Sequence, residues 1–270
     1  MASSRLNRIA EALLPKRGFE RGLWQGAPTL SVVCDDGYRE DYTAIAPVLE
    51  SFGVKGTFAI CSELIGQPRF MREIELADLI GRGHEVASHM QRHASLIDMH
   101  PSTCATEMQA SKDWLRARGA QANGLVYPFG ANCRQTRALA AQHFACAISA
   151  WPGINAGRVN TFALRRFAFG SFENTSYPVS QHPGRLLDKT CAANGWLIVM
   201  LHSGAAQRVA DHEQRLNTLL FEAKSRGMLI EPMTDAIASG LVKANLSKDQ
   251  RDLHSFPARG SFKLVAAAAS

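Results

Sequence analysis

Short apolar segments alternate with amphipathic ones along nearly the whole chain, and this alternation constrains the fold more than any other feature. The apolar segments are short and contain many β-branched residues, as buried strands do. The segments between them place apolar residues three and four positions apart, which is the spacing of an amphipathic helix. Strands and helices that follow each other through short connections are typical of a parallel α/β fold.

The predicted strands cover residues 29–35, 54–61, 84–88, 125–127, 144–149, 164–169, 196–201 and 228–231. The predicted helices cover 39–52, 74–82, 102–118, 134–143, 179–193, 207–225 and 234–241. About seven strand–helix units, without a Gly-x-Gly-x-x-Gly fingerprint, favour a single-domain distorted (β/α) barrel of about seven parallel strands over an open dinucleotide-binding sheet.

The alternation stops near both ends of the chain, which sets the predicted domain limits. Residues 1–27 are predicted to be an extension, with a short helix over 5–14 followed by a loop. The barrel is expected to span 28–240. Residues 241–270 end in an alanine run and are predicted to form a partly disordered tail.

Composition excludes several classes of protein. The net charge is +6, and basic residues are not interleaved with aromatic ones, so nucleic-acid binding is not expected. The longest apolar run, 196–201, is too short to span a bilayer. The N-terminus lacks the apolar core of a secretory signal, and the six cysteines form no Cys-x-x-Cys pair. These features predict a protein with free thiols, without a transmembrane segment, in the cytoplasm.

Two adjacent carboxylates, Asp35 and Asp36, follow the first predicted strand and precede Gly37. Neighbouring carboxylates repel each other, and they persist where a cation or a proton lies between them. Gly37 allows a sharp turn and leaves space near the backbone. Taken alone, this stretch also fits an ordinary strand-to-helix turn with aspartate as the N-cap.

A pair of histidines after the third predicted strand favours the functional interpretation. His89 and His93 are four residues apart, so a helical turn would place both imidazoles on one face, close enough to chelate one ion. Asp36 is the natural third ligand, because strand ends of a parallel barrel share one face. Two histidines and a carboxylate suit zinc, and also cobalt, nickel or manganese.

The order of these motifs resembles the polysaccharide deacetylases, the NodB-homology family of metal-dependent carbohydrate deacetylases. The Cys34-Asp35-Asp36-Gly37 stretch resembles the family's Thr-Phe-Asp-Asp-Gly motif, and 89–93 resembles its His-(Ser/Thr)-x-x-His motif. Residues 126–129 resemble the Arg-x-Pro-Tyr motif, and 199–202 the late Leu-x-Leu-His motif. The resemblance covers about residues 28–240 and implies a barrel of the NodB-homology type.

The resemblance also implies roles for the site residues. Asp36, His89 and His93 would bind one divalent ion, with Zn²⁺ expected, and Asp35 would be the general base. His202 would be the general acid that protonates the leaving amine. The backbone N–H of Phe129, at the position of the family's tyrosine, would hold the oxyanion, and Tyr127 in the same motif is a further candidate for oxyanion or substrate contact.

The chain departs from the family pattern at Val126, where the motif has an arginine that orients the catalytic aspartate. Either Arg165 or Arg166, adjacent in an otherwise apolar stretch, is predicted to supply that charge. Trp151 lies nearby in sequence and is a candidate to line the sugar site, although core packing explains it equally well.

These observations predict a metal-dependent hydrolase that removes an N-acyl group, expected to be acetyl, from an amino sugar or an oligo- or polysaccharide precursor. A related C–N hydrolase for a non-sugar amide or cyclic imide remains an alternative, as does a non-catalytic carbohydrate-binding member. The sequence specifies neither the sugar nor the oligomeric state.

Overall fold

A computed structural model describes residues 21–173, 178–204 and 212–243. The strands are β1 (Arg21–Trp24), β2 (Thr29–Cys34), β3 (Thr57–Ile60), β4 (Glu85–Ser88), β5 (Gly124–Val126), β6 (Cys146–Ile148), β7 (Gly157–Asn160), β8 (Phe167–Ala168), β9 (Trp196–Leu201), β10 (Leu229–Ile230) and β11 (Leu241–Lys243). The α-helices are α1 (Ala46–Ser51), α2 (Glu73–Gly81), α3 (Pro101–Arg116), α4 (Arg134–His143), α5 (Gly184–Ala192), α6 (His212–Ser225) and α7 (Met233–Gly240). The predicted helix over 5–14 and the tail beyond 243 lie outside the described residues.

The main sheet is parallel and curls into a distorted barrel, as the alternation predicts. Its strand order is β6–β5–β4–β3–β2–β9–β8, and β10 pairs with the first residues of β2. Leu164, just before β8, pairs in parallel with Ile148 of β6 and so brings the two ends of the sheet together. The carboxyl ends of the strands therefore face one common opening.

The core has two layers because side chains alternate across each strand. In β2, Val32 packs outward against the surrounding helices, whereas Val33 points into the barrel with Val126 and Ile198. No helix in the described part of the chain is both long and apolar enough to cross a membrane.

The helix predicted over 39–52 is divided. Residues Asp41–Ile45 form a π-helical turn, and α1 begins only afterwards, with Pro47 in its first turn. Proline is tolerated there because the first N–H groups of a helix have no partner within it. The wider turn buries the Asp41 side chain completely, close to the end of β2.

A second, antiparallel sheet forms from segments predicted as loop and tail. Its order is β11–β1–β7, so residues 21–24 and 241–243 are strands, contrary to the prediction. Trp24 of β1 stacks on Trp196 of β9, with ring centroids 5.3 Å apart. Pairing partners far apart in sequence stabilise these strands, which are too short to show a period of two.

This stack predicts a large stability effect for a residue outside the main sheet. Trp24→Ala is expected to lower the free energy of unfolding by about 3 kcal/mol, the usual cost of truncating a buried tryptophan. Denaturant unfolding measures the change, and Phe221→Ala, at a side chain 65% exposed, is the control. If Trp24→Ala lowered the free energy of unfolding no more than the control does, the contact between the small sheet and the core would contribute little to stability.

Candidate functional site

The two aspartates at the end of β2 diverge because the backbone turns sharply there. Asp36 has φ of +76° and Gly37 has φ of +86°. A Cβ at position 37 would lie 3.0 Å from Cδ1 of Ile60, so the turn leaves little space for any residue but glycine. Because of this turn, the Asp35 and Asp36 carboxylates point in different directions and contact different partners.

Asp36, His89 and His93 form a cluster whose potential ligand atoms all lie within 4.8 Å of one another. Oδ1 of Asp36 is 3.3 Å from Nε2 of His89 and 3.5 Å from Nε2 of His93. The predicted helical turn is absent from residues 89–93, which form a bend with Met90 at φ +70°. The bend nevertheless places the two imidazole centroids 5.0 Å apart.

The donor set fits a divalent ion. Nδ1 of the buried His89 donates to the Val126 carbonyl at 2.7 Å, so in the neutral imidazole, the form that binds a metal, Nε2 carries the lone pair that faces the cluster. Nε2 of His89 and Oδ1 of Asp36 are buried and have no hydrogen-bond partner among the described residues. Burial alone would raise the pKa of Asp36, but the neighbouring histidines outweigh it and hold that pKa below its ordinary value. The cluster thus presents an ionised carboxylate and an oriented imidazole.

Loss of one imidazole is expected to abolish tight metal binding. His93→Ala should weaken zinc affinity by more than the roughly 100-fold that loss of a ligand's supporting hydrogen bond costs. Competition with a chromogenic chelator measures this affinity without any assay of activity. His182→Ala, at an exposed histidine far along the chain, is the control, and equal affinities for the two variants would contradict the cluster as a metal site.

Asp35 forms an ion pair with an arginine that is 131 residues away in the sequence. Nη1 of Arg166 lies 2.8 Å from Oδ1 of Asp35, and Nη2 lies 2.7 Å from Oδ2, a two-pronged contact between buried groups. Burial raises the pKa of Asp35, but the Arg166 charge and nearby histidines outweigh it, so the pKa lies below its ordinary value. Asp35 is therefore ionised at neutral pH, beside the cluster.

His202 follows β9 and completes the group of polar side chains at the opening. Its Nε2 lies 3.7 Å from Oδ2 of Asp35 and 3.9 Å from Oδ2 of Asp36. Burial lowers the pKa of His202, despite the neighbouring carboxylates. An imidazolium at this position gives up its proton readily.

Of the remaining predicted residues, only some have side chains that reach the site. Arg166 reaches Asp35, whereas Arg165 is exposed and its Nη1 points to the Pro152 carbonyl, 3.4 Å away. The Tyr127 side chain is fully buried, and its hydroxyl donates to the Phe162 carbonyl at 3.1 Å, so this side chain is not available to a substrate. A tyrosine next to a motif proline looks the same in sequence whether it faces the core or the opening.

Two candidates at the rim remain exposed. Phe129, 57% exposed, has φ of +57°, and its ring lies 4.3 Å from that of His93. Trp151 is 49% exposed, and its carbonyl accepts the backbone N–H of Arg166 at 2.9 Å. Trp151 is thus a surface residue rather than part of the core.

Several contacts at the site escaped the sequence analysis. Tyr38 lies beside Asp36, and burial, together with that negative charge, raises the pKa of Tyr38 to about 12. Ser203 donates to the buried Asp41 at 2.5 Å and so ties the turn after His202 to the π-helical turn. Tyr38 could have been found by its position after the Asp-Asp-Gly motif, but nothing local connects Asp41 with Ser203.

Part of the chain matches one known protein family. A family model described as polysaccharide deacetylase matches residues 25–145. A curated Bacillus subtilis (strain 168) protein named "Putative polysaccharide deacetylase YxkH" is 26% identical over 137 residues, which are 50% of this chain and 49% of that protein. The chain therefore spans about half the length of this curated relative.

Solved structures with little sequence identity share the fold. The Xyl-CE4 domain of a multidomain xylanase from the hindgut metagenome of Trinervitermes trinervoides has a TM-score of 0.58 at 17% identity, over 79% of this chain and 90% of that one. The Bc1960 peptidoglycan N-acetylglucosamine deacetylase has a TM-score of 0.57 at 14% identity, over 82% and 92%. At these identities, the likeness supports the barrel architecture and leaves chemistry to the site residues.

Proposed function

We propose that this chain, of which residues 25–145 match the polysaccharide deacetylase family, is a metal-dependent hydrolase that removes an N-acetyl group from an amino sugar in an oligo- or polysaccharide precursor. The observation that carries the proposal is the Asp35–Arg166 pair beside the Asp36, His89 and His93 cluster. This arrangement supplies an ionised base next to three potential metal ligands.

Asp36, His89 and His93 would hold the ion, with zinc expected from two imidazoles and a carboxylate. The chemistry that such an ion supplies is Lewis acidity toward the acyl carbonyl and toward water. Asp35 accepts the proton of the attacking water at a carboxylate oxygen. Arg166 keeps that carboxylate oriented and ionised, which a general base requires.

The later steps use two groups at the same opening. The backbone N–H of Phe129 donates to the oxygen that becomes negative as water attacks the acyl carbon. Nε2 of His202, in its protonated form, then donates its proton to the departing amine. Nε2 of His202 and Oδ2 of Asp35 are 3.7 Å apart, so the proposed acid and base are neighbours at the same opening.

A substrate panel with the metal-loaded full chain tests the proposal. We expect acetate release from oligomers of N-acetylglucosamine, lost on treatment with a strong chelator and restored by zinc. Release of ammonia or formate from cyclic imides or non-sugar amides, without release from the sugar, would replace the proposal with the related C–N hydrolase. Sugar binding without hydrolysis of any panel member would indicate a carbohydrate-binding protein.

A further inference from the structure

Phe172 is an exposed aromatic side chain with an unusual backbone, and the proposed chemistry leaves it without a role. It is 52% exposed and has φ of +60°. A bulky residue in this left-handed region is a conformational outlier that costs free energy. An exposed apolar ring gains little from burial to offset that cost, so folding alone does not account for its position.

The Phe172 ring is fixed against His202. The two ring centroids are 5.0 Å apart and the planes are at 83°, an edge-to-face contact. The preceding residues hold the turn in place, because Ser171 Oγ donates to the His202 carbonyl at 3.4 Å and Phe169 N–H donates to the Met200 carbonyl at 2.8 Å. Phe172 therefore lies at a defined position beside the proposed general acid.

A second exposed ring packs against a different histidine of the site. Phe129 packs against His93, one of the potential metal ligands, and it too has a left-handed backbone. Two loops thus present one aromatic ring each, next to different histidines. The Phe129 ring is thus beside a group that would hold the metal, and the Phe172 ring is beside the group that would protonate the leaving amine.

We propose that Phe172 is the binding platform for the sugar ring that carries the leaving amine. The inference rests on the proposed function, which places the amine at His202. A pyranose ring has a face made of C–H groups, and contact with an aromatic ring removes apolar area of both from water. This role makes Phe172 a specificity-determining residue that favours cyclic, saccharide amides over small acyclic ones.

Phe172→Asn tests the platform without the backbone penalty, because asparagine tolerates left-handed φ. On N-acetylglucosamine oligomers we expect KM to rise about tenfold, the equivalent of 1.4 kcal/mol, with kcat changed less than about twofold. On a non-sugar acetamide, KM should stay unchanged. Phe172→Trp should keep the wild-type KM, and Phe221→Ala, at an exposed phenylalanine on α6, is the matched control.

A binding measurement separates this inference from the proposed function. The same oligomer is titrated calorimetrically into two zinc-loaded proteins, the Asp35→Asn variant and the Asp35→Asn, Phe172→Asn double variant. The two dissociation constants are measured without any turnover of the substrate. A ratio of about ten supports the platform, even if the wild type releases no acetate and the proposed function fails. Equal dissociation constants, or no binding of the oligomer to either protein, would overturn the platform, whatever the acetate assay shows.

Discussion

Asp35→Asn is expected to lower kcat for acetate release by about 10³-fold, within the range that a general base contributes. Asparagine keeps the size of the side chain and one oxygen acceptor for Arg166, but it cannot accept a proton from water. The three atoms of the Asp36, His89 and His93 cluster are unchanged by the substitution. Zinc content should therefore stay close to that of the wild type, whereas stability should fall, because Arg166 loses the negative partner of a buried ion pair.

The neighbouring aspartate provides the matched control. Asp36→Asn should also lose activity, but through loss of zinc, because a neutral amide is a poor ligand beside the two imidazoles. Measuring zinc content and kcat for both variants separates the two roles. If Asp35→Asn lost its zinc, or retained wild-type turnover, the assignment of the base would be wrong.

The parallel barrel could be predicted because strand–helix alternation is a local property of the sequence. The strand end at Asp35 and Asp36 and the histidines at 89 and 93 followed from the same reasoning, since strand ends of such a barrel share one face. The cluster forms as predicted even though residues 89–93 adopt a bend, because the bend at Met90 brings the two imidazoles together and the neighbouring strand end supplies Asp36.

The contacts that the sequence left open depend on long-range packing. Arg165 and Arg166 are adjacent, and only the direction of each side chain at the start of β8 decides that Arg166 reaches Asp35, 131 residues away. Tyr127 faces the core for the same reason, since side chains alternate across a strand. The Phe172 ring could not be placed beside His202 before the turn after β8 was known.

Arg166→Met is expected to be the most disruptive change at the site, because it removes the positive partner of a buried carboxylate. Truncating one member of a buried ion pair typically costs about 3–5 kcal/mol of stability. Activity should also fall, because Asp35 would lose both its orientation and the charge that favours its basic form. Arg165→Met removes an adjacent, exposed arginine and should change the free energy of unfolding by less than about 0.5 kcal/mol.

The pH dependence of stability gives this prediction a second readout. The folded pKa of Asp35 lies below its ordinary value, so the pair stabilises the wild type above the unfolded pKa of about 3.9. That contribution is lost as the pH falls through the folded pKa. In Arg166→Met, only the nearby histidines still oppose the effect of burial, so the pKa of Asp35 rises. The carboxyl then takes up a proton at a higher pH, and the cost of burying its charge disappears. Denaturant unfolding of the metal-free proteins should therefore show that the free energies of unfolding of wild type and Arg166→Met differ most near neutral pH. The difference should become smaller as the pH falls. If the difference in free energy of unfolding did not change with pH, Arg166 would stabilise the fold by packing rather than by the interaction of its charge with Asp35.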